Sequence, residues 1–175
     1  NLEENTYQLG ASTFTFLAPI QIVGGFKPGT LCATHEDNAA KTIIDFGGGD
    51  VDLEQPRGSS NALLAFSDLT LRNGGALRLY AGAFADPPYL GQHDHPGSIS
   101  MNRVRVAGFA YLTLGTFYGG VQVTNSQFDN LYPGGACAIQ TVPFDVNTYV
   151  FNHVTMDLVG GKDFCLGDPT DAGER

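Results

Sequence analysis

Hydrophobic residues recur along this chain in one eight-residue arrangement: hydrophobic, any, hydrophobic, two polar, hydrophobic, any, hydrophobic. Four segments carry it. They start at Leu64 (Leu64-Ala65-Phe66-Ser67-Asp68-Leu69-Thr70-Leu71), at Ile99, at Val121 and at Tyr149. Only Ser126 stands where the template asks for a hydrophobic residue. The starts are separated by 35, 22 and 28 residues (64 to 99, 99 to 121, 121 to 149). In an extended chain alternate side chains share a face, so each unit predicts two short strands with their hydrophobic residues on one side. The strands meet at a polar corner: Ser67-Asp68, Asn102-Arg103, Thr124-Asn125 and Asn152-His153. Asn and Asp suit such corners because they tolerate left-handed backbone and bond to nearby main chain. A third strand follows each unit, at Ala76–Leu79, Tyr111–Leu114, Gly135–Ile139 and Asp163–Leu166.

Three strands per coil with a variable period of 22 to 35 residues describe a solenoid whose coils stack at about 4.8 Å. The expected fold is therefore all-β, a parallel β-helix. A β-sandwich is the alternative; it also yields short alternating strands, but does not require the corner to recur in one register. Composition agrees with the β reading. Only 15 % of residues are charged, 42 % are hydrophobic, and there are 23 Gly and 9 Pro. A disordered chain needs the reverse balance, and a helical bundle needs more Glu, Lys and Arg on its outer faces. At 175 residues the chain reads as one domain, with residues 1–13 capping one end and residues 80–98 forming a long loop between coils. The first residue is not Met and the last residues do not read as a finished terminus, so a segment of a longer protein is expected.

Charge narrows the partners. The net charge is −9 and the lysines are three, Lys27, Lys41 and Lys162. Nucleic acid and anionic membrane surfaces are repelled by such a chain. Residues 106–128 carry no Asp, Glu, Lys or Arg, but they alternate with period two and contain Thr113, Thr116, Gln122 and Asn125, which excludes a membrane-spanning helix. No N-glycosylation sequon occurs.

The stretches "LLAFSDLTLRNGGALRLY", "SISMNRVRVAGFAYLTL", "VQVTNSQFDNL" and "YVFNHVTMDLVGG" resemble the right-handed parallel β-helix of the pectin lyase-like superfamily. The upstream "FLAPIQIVGG" and "KTIIDFGGGDVDL" resemble the opening coils of such proteins, and in particular modules of large surface proteins of green algae and other protists. The resemblance covers about residues 10–167 and implies a fold more than a function, because the superfamily holds lyases, hydrolases, adhesins and modules without activity.

Four sets of residues are candidates for chemistry. The long loop carries Phe84, Tyr89 and the triplet His93-Asp94-His95. Two imidazoles could ligate a transition metal with help from elsewhere, and the aromatics could contact a glycan or a partner; a solvated loop is the preferred reading. Asp50, Asp52 and Glu54 alternate along one strand at about 6.6–7 Å. The resemblance implies that a lyase would hold Ca²⁺ on such a face against an acidic sugar and use an Arg or Lys as base. Arg103 and Arg105 are candidates for the base, with Arg72 and Arg78 in the neighbouring coil; outward arginines paired with Asp68 or Asp86 are the preferred reading. Cys137 and Cys165 lie 28 residues apart, the interval between the third and fourth coils, which suits a disulfide or a reduced ladder; a bridge is favoured if the protein is secreted, leaving Cys32 free or paired with a segment outside this sequence. The polygalacturonase motifs of that superfamily (Asn-Thr-Asp, Asp-Asp, His-Gly, Arg-Ile-Lys), Trp, CxxC pairs and phosphate loops are all missing from the sequence. The expectation is a non-enzymatic, extracellular or cell-surface module for assembly, adhesion or glycan contact. Its partners would be other protein chains and polysaccharide, and no cofactor is firmly implied. The rival is a calcium-dependent polysaccharide lyase acting on acidic glycans.

Overall fold

The hydrophobic alternation of the four corner units is realised as strands. The computed structural model describes residues 1–55, 62–82, 97–117, 119–131, 137–144, 148–158 and 163–166. Among these, the elements are strands only: β1 (Thr6–Gln8), β2 (Ser12–Thr15), β3 (Ile20–Val23), β4 (Ile43–Asp45), β5 (Val51–Gln55), β6 (Ala62–Arg72), β7 (Ala76–Ala81), β8 (Gly97–Ala107), β9 (Tyr111–Phe117), β10 (Gly120–Thr124), β11 (Gln127–Leu131), β12 (Cys137–Phe144), β13 (Thr148–Asn152), β14 (Thr155–Leu158) and β15 (Asp163–Leu166). They form two sheets. The nine-stranded sheet runs β1-β4-β6-β8-β10-β13, with β3 also on β6, β11 on β8 and β14 on β11; the six-stranded sheet runs β15-β12-β9-β7-β5-β2. Every ladder between these strands is parallel. Parallel pairing departs from the antiparallel sheets of a β-sandwich and is compatible with a parallel β-helix.

Register turns the sequence pattern into columns. Ile20, Leu64, Ile99, Val121 and Tyr149 pair in succession across five neighbouring strands. Ile22, Phe66, Met101, Val123 and Phe151 form a second column beside it. On the six-stranded sheet Val51, Leu77, Leu112, Ile139 and Phe164 follow one another. The buried members of these columns belong to one hydrophobic cluster. Each fully buried Leu or Ile contributes about 1.5–3 kcal/mol of transfer free energy, so the stacked columns are the main source of stability.

The polar corners have one backbone conformation. Asp68, Arg103, Asn125 and His153, the second residue of each pair, have φ of 56°, 54°, 50° and 52°. In the first two repeats the strand runs through the corner, giving the 11-residue β6 and β8; in the next two the corner separates β10 from β11 and β13 from β14. Ser126, the exception to the hydrophobic template, is buried and satisfied: its hydroxyl accepts from the Val104 N–H at 3.1 Å and donates to the Thr124 carbonyl at 2.8 Å. A fifth corner lies upstream at Gly24-Gly25, where Gly25 has φ 77° and the Gly24 N–H donates to the Ser67 carbonyl. Here side chains are excluded: a Cβ on Gly24 would sit 2.4 Å from the Asp68 carbonyl oxygen, and one on Gly25 2.2 Å from that of Glu36. The chain leaves the stack after Gly25 and rejoins it at β4. The intervening arm, residues 26–41, hides the fifth repeat from a search for the eight-residue pattern.

Residues 1–15 lie at one end of both sheets, with β1 on β4 and β2 on β5 as edge strands. The Leu2 N–H donates to the Val23 carbonyl at 2.7 Å and Leu2 packs on the core. The gap between β7 and β8 begins after Gly82, and residues 83–96, which include Phe84, Asp86, Tyr89, His93, Asp94 and His95, lie outside the described residues.

Candidate functional site

An outward position on a parallel ladder faces its counterpart on the next strand, so oppositely charged residues in register can pair from coil to coil. Among the described residues all four arginines pair with an aspartate on a neighbouring strand, Arg72 and Arg78 with their direct counterparts in register. Arg72 stands opposite Asp45 and donates from Nε at 2.8 Å. Arg78 stands opposite Asp52 and donates from Nη1 at 2.9 Å, while Nη2 reaches Asp50 at 3.2 Å. Arg103 grips both oxygens of Asp68, from Nε at 2.5 Å and Nη2 at 2.9 Å. Arg105 donates from Nε to Asp129 at 2.5 Å, and Gln127 donates to the other oxygen of that carboxylate at 2.7 Å.

The three candidate carboxylates, for which a plain outward face is the preferred reading, share one face of the six-stranded sheet, with Asp52 and Glu54 on β5 and Asp50 just before it. Their surroundings are those of an ion pair. The Arg78 guanidinium sits between Asp50 and Asp52, donates to the Tyr111 hydroxyl from Nη2 at 2.6 Å, and lies over the Tyr111 ring at 5.4 Å. Thr13 donates to Asp52 at 3.3 Å. The Asp50 carboxyl is held below its ordinary range by the Ala76 N–H first and Arg78 second, against the opposing effect of burial. Arg78 is held protonated chiefly by its hydrogen bond to Asp52. Calcium asks for six to eight oxygen ligands, whereas here Asp50 and Asp52 are both engaged by one guanidinium. Arg103 and Arg105 belong to β8 in the nine-stranded sheet, and the structure does not bring them to Asp50, Asp52 or Glu54. Nor do they act together: Arg103 is at the left-handed corner and Arg105 lies beyond it, each with its own aspartate.

A second cluster, which linear spacing does not reveal, forms where the arm returns to the stack. His35 Nε2 is 3.3 Å from Asp68, and His35 Nδ1 is 3.5 Å from Asp37. One ligand atom from each of these three residues lies within 4.8 Å of the other two. Asp68 is 1 % exposed, and Arg103 already binds it in two-pronged fashion while reaching Asp37 at 3.2 Å. A divalent ion here would meet a fixed guanidinium, so the cluster is complete as a salt-bridge network. Its neighbours tie down the arm. Lys27 and Lys41 donate to Glu36 at 2.8 and 3.0 Å and hold its carboxyl down at about 2, with Lys27 the larger influence. The Gly29 and Cys32 N–H groups donate to the Glu3 carboxylate and lower its pKa as well.

Cys137 and Cys165 are joined by a disulfide with Cα atoms 5.7 Å apart, linking β12 to β15, and Cys32 is free. The outer face of the nine-stranded sheet carries a shallow groove of about 410 Å³ lined by Leu63, Ser98, Ser100, Gln122, Thr148 and Val150, with Gly120 at its floor. No helix among the described residues is long and apolar enough to cross a membrane.

No family profile, curated protein or solved structure matches this chain. The resemblance to pectin lyase-like proteins thus rests on the recurring corner pattern and the parallel sheets.

Proposed function

We propose that this chain is a right-handed parallel β-helix module of an extracellular or cell-surface protein, and that its role is structural assembly, adhesion or glycan contact without catalysis. One observation carries the reading: each of the four described arginines is engaged with an aspartate across neighbouring strands. A base for β-elimination must be free to take a proton from substrate, and a positive group must be free to face the sugar carboxylate. Arginines engaged in this way instead stitch the coils laterally. Stacked ladders with side-chain pairs on the outside make a stiff scaffold with long faces, which suits spacing and contact. The partners are other protein chains or domains of the same assembly, and polysaccharide.

The rival lyase reading draws on one feature, the grouping of Asp50, Asp52, Arg78 and Tyr111 on a single face. It requires Arg78 to swing away before calcium and substrate enter. The deciding experiment is incubation with several polyuronates while following the ultraviolet absorbance of unsaturated products, with Ca²⁺ and with chelator. A flat trace is expected. A calcium-dependent rise abolished by Asp52→Ala, Arg78→Ala or Arg105→Ala would replace the structural module with a lyase.

A further inference from the structure

The cluster at the root of the arm contains a side chain whose charge changes under mild conditions. His35 bridges antiparallel to Phe26, the first residue of the arm, and the two rings lie 4.9 Å apart. A Cβ on Gly25 would come within 3.3 Å of His35 Nε2, so the imidazole lies against the upstream corner as well. Each ring nitrogen has its own carboxylate: Nε2 is 3.3 Å from Asp68 and Nδ1 is 3.5 Å from Asp37. Asp68 belongs to β6 in the stack, whereas Asp37 belongs to the arm. His35 is thus the joint between the two.

Counting donors shows what a proton does at this joint. A neutral imidazole carries one N–H and an imidazolium carries two. Neutral His35 satisfies one carboxylate and turns a lone pair towards the other; protonated His35 donates to both. Counting charges gives the same sense. Arg103, from the corner of β8, grips Asp68 and reaches Asp37, and a guanidinium keeps its charge at every pH of interest. One guanidinium against two carboxylates leaves a negative charge over, which a proton on His35 balances. The remaining charges of the arm and of the N-terminal segment beside it are matched separately. Glu36 is met by Lys27 and Lys41, Glu4 by Lys41, and Glu3 by the Gly29 and Cys32 N–H groups. Glu36, held down at about 2, stays ionised throughout the range in which histidines titrate.

We propose that His35 is a pH-sensitive clasp that tightens the arm, residues 26–41, on the corners of β6 and β8 when it takes up a proton and loosens it when the proton leaves. A histidine ordinarily changes charge between about pH 5 and 8. The second hydrogen bond exists only in the protonated form, so the arm is held more firmly on the acid side of that range and less firmly above it. The segment under this control presents Leu31, 94 % exposed, and the free Cys32.

The test is amide hydrogen exchange of the whole chain at about pH 5.5 and about pH 8, either side of the histidine range, with each rate divided by its intrinsic value at that pH. The reporters are the Glu36 and Lys27 N–H groups, which donate to the Gly25 and Thr34 carbonyls. The Phe46 N–H, which donates to the Arg72 carbonyl within the stack, is the control. Protection of the reporters is expected to be about two- to fivefold higher on the acid side, the size of a partly exposed ion pair, with the control unchanged. His35→Gln keeps a donor for Asp68 on a side chain that does not titrate, and is expected to abolish the difference. Asp37→Asn removes the second carboxylate and is expected to shrink the difference while the His35 ring protons still titrate. The proposal is overturned by equal protection at the two pH values, by higher protection on the alkaline side, or by an equal change in the control. A difference that survives in His35→Gln belongs to another titrating group, such as His153, and overturns it as well. Should His35→Gln disturb the control amide, Asp37→Asn decides, and an undiminished difference there is fatal. Loss of the difference on adding a chelator would assign the cluster to a bound metal ion and likewise end the proposal.

Discussion

Arg103 shows how much one residue can be asked to do in a stacked fold. It adopts left-handed backbone at φ 54°, a conformation that costs a non-glycine residue about 1–2 kcal/mol, and its guanidinium neutralises a carboxylate that is 1 % exposed. Removing one member of a buried pair leaves the other charge uncompensated. Arg103→Ala is therefore expected to destabilise the protein by about 3 kcal/mol, the lower end for a broken buried pair, because His35 Nε2 remains 3.3 Å from Asp68. The backbone contribution cancels between Arg and Ala, since both carry a Cβ. Arg103→Lys keeps the charge without the two-pronged grip and should fall between the two. Denaturant midpoints of the three proteins check this; an Arg103→Ala midpoint equal to that of the parent would show that the pair is not formed. The pair of Arg105 with Asp129 is of the same kind, a buried carboxylate met by a guanidinium that is 48 % exposed.

At the scale of elements, the last strand of the six-stranded sheet is held by a covalent link. β15 pairs with β12 and with no other described strand, and the Cys137–Cys165 disulfide spans 28 residues. Cross-linking a loop of that length stabilises by about 3–4 kcal/mol in the chain-entropy picture. Reduction, or Cys137→Ser with Cys165→Ser, is expected to lower the melting temperature and to raise hydrogen exchange in Asp163–Leu166 before the other strands. Uniform exchange with and without reductant would mean that the strand is held by its ladder alone. Buried positions between elements are equally exacting. A Cβ on Gly74 would come within 2.2 Å of the Phe109 ring, and Phe109 is fully buried and packs against Phe46 at 5.9 Å.

For the whole molecule, acid is the condition that tests the charge pattern. Glu36 is pulled down to about 2 by Lys27 and Lys41. Asp50 is lowered first by the Ala76 N–H; at Asp45, burial opposes ionisation but is outweighed by hydrogen bonds from Asn73, the Gly47 N–H and Arg72. Carboxyls whose folded pKa lies below the unfolded value stabilise the fold above the unfolded pKa, about 4, and lose that contribution as pH falls through the folded pKa. The urea midpoint should therefore decline between about pH 4.5 and 2, and Glu36→Gln should flatten part of that decline. A midpoint constant over this window would show that the pairs do not persist in solution.

The alternation of hydrophobic residues and the recurrence of the polar corner were legible in the sequence because a strand's period of two and a corner's need for left-handed backbone act on neighbouring residues. Those local rules were enough for the strands of the described residues, for the four corners at Asp68, Arg103, Asn125 and His153, and for the strand that follows each corner unit. The coil at Ile20–Gly25 escaped the pattern because an arm interrupts it between corner and next strand. Only tertiary structure decided which charges meet. Asp50 and Asp52 share a face in the sequence as in the fold, but Arg78 reaches them from 28 and 26 residues away through register alone. His35, Asp37, Asp68 and Arg103 converge because the arm folds back over two corners. The shallow groove on the nine-stranded sheet likewise takes shape only once Ser98, Gln122 and Thr148 are laid side by side. Side-chain periodicity is a property of one strand, whereas electrostatic pairing and concave surface are properties of strands in register, and register depends on loop lengths that no local pattern encodes.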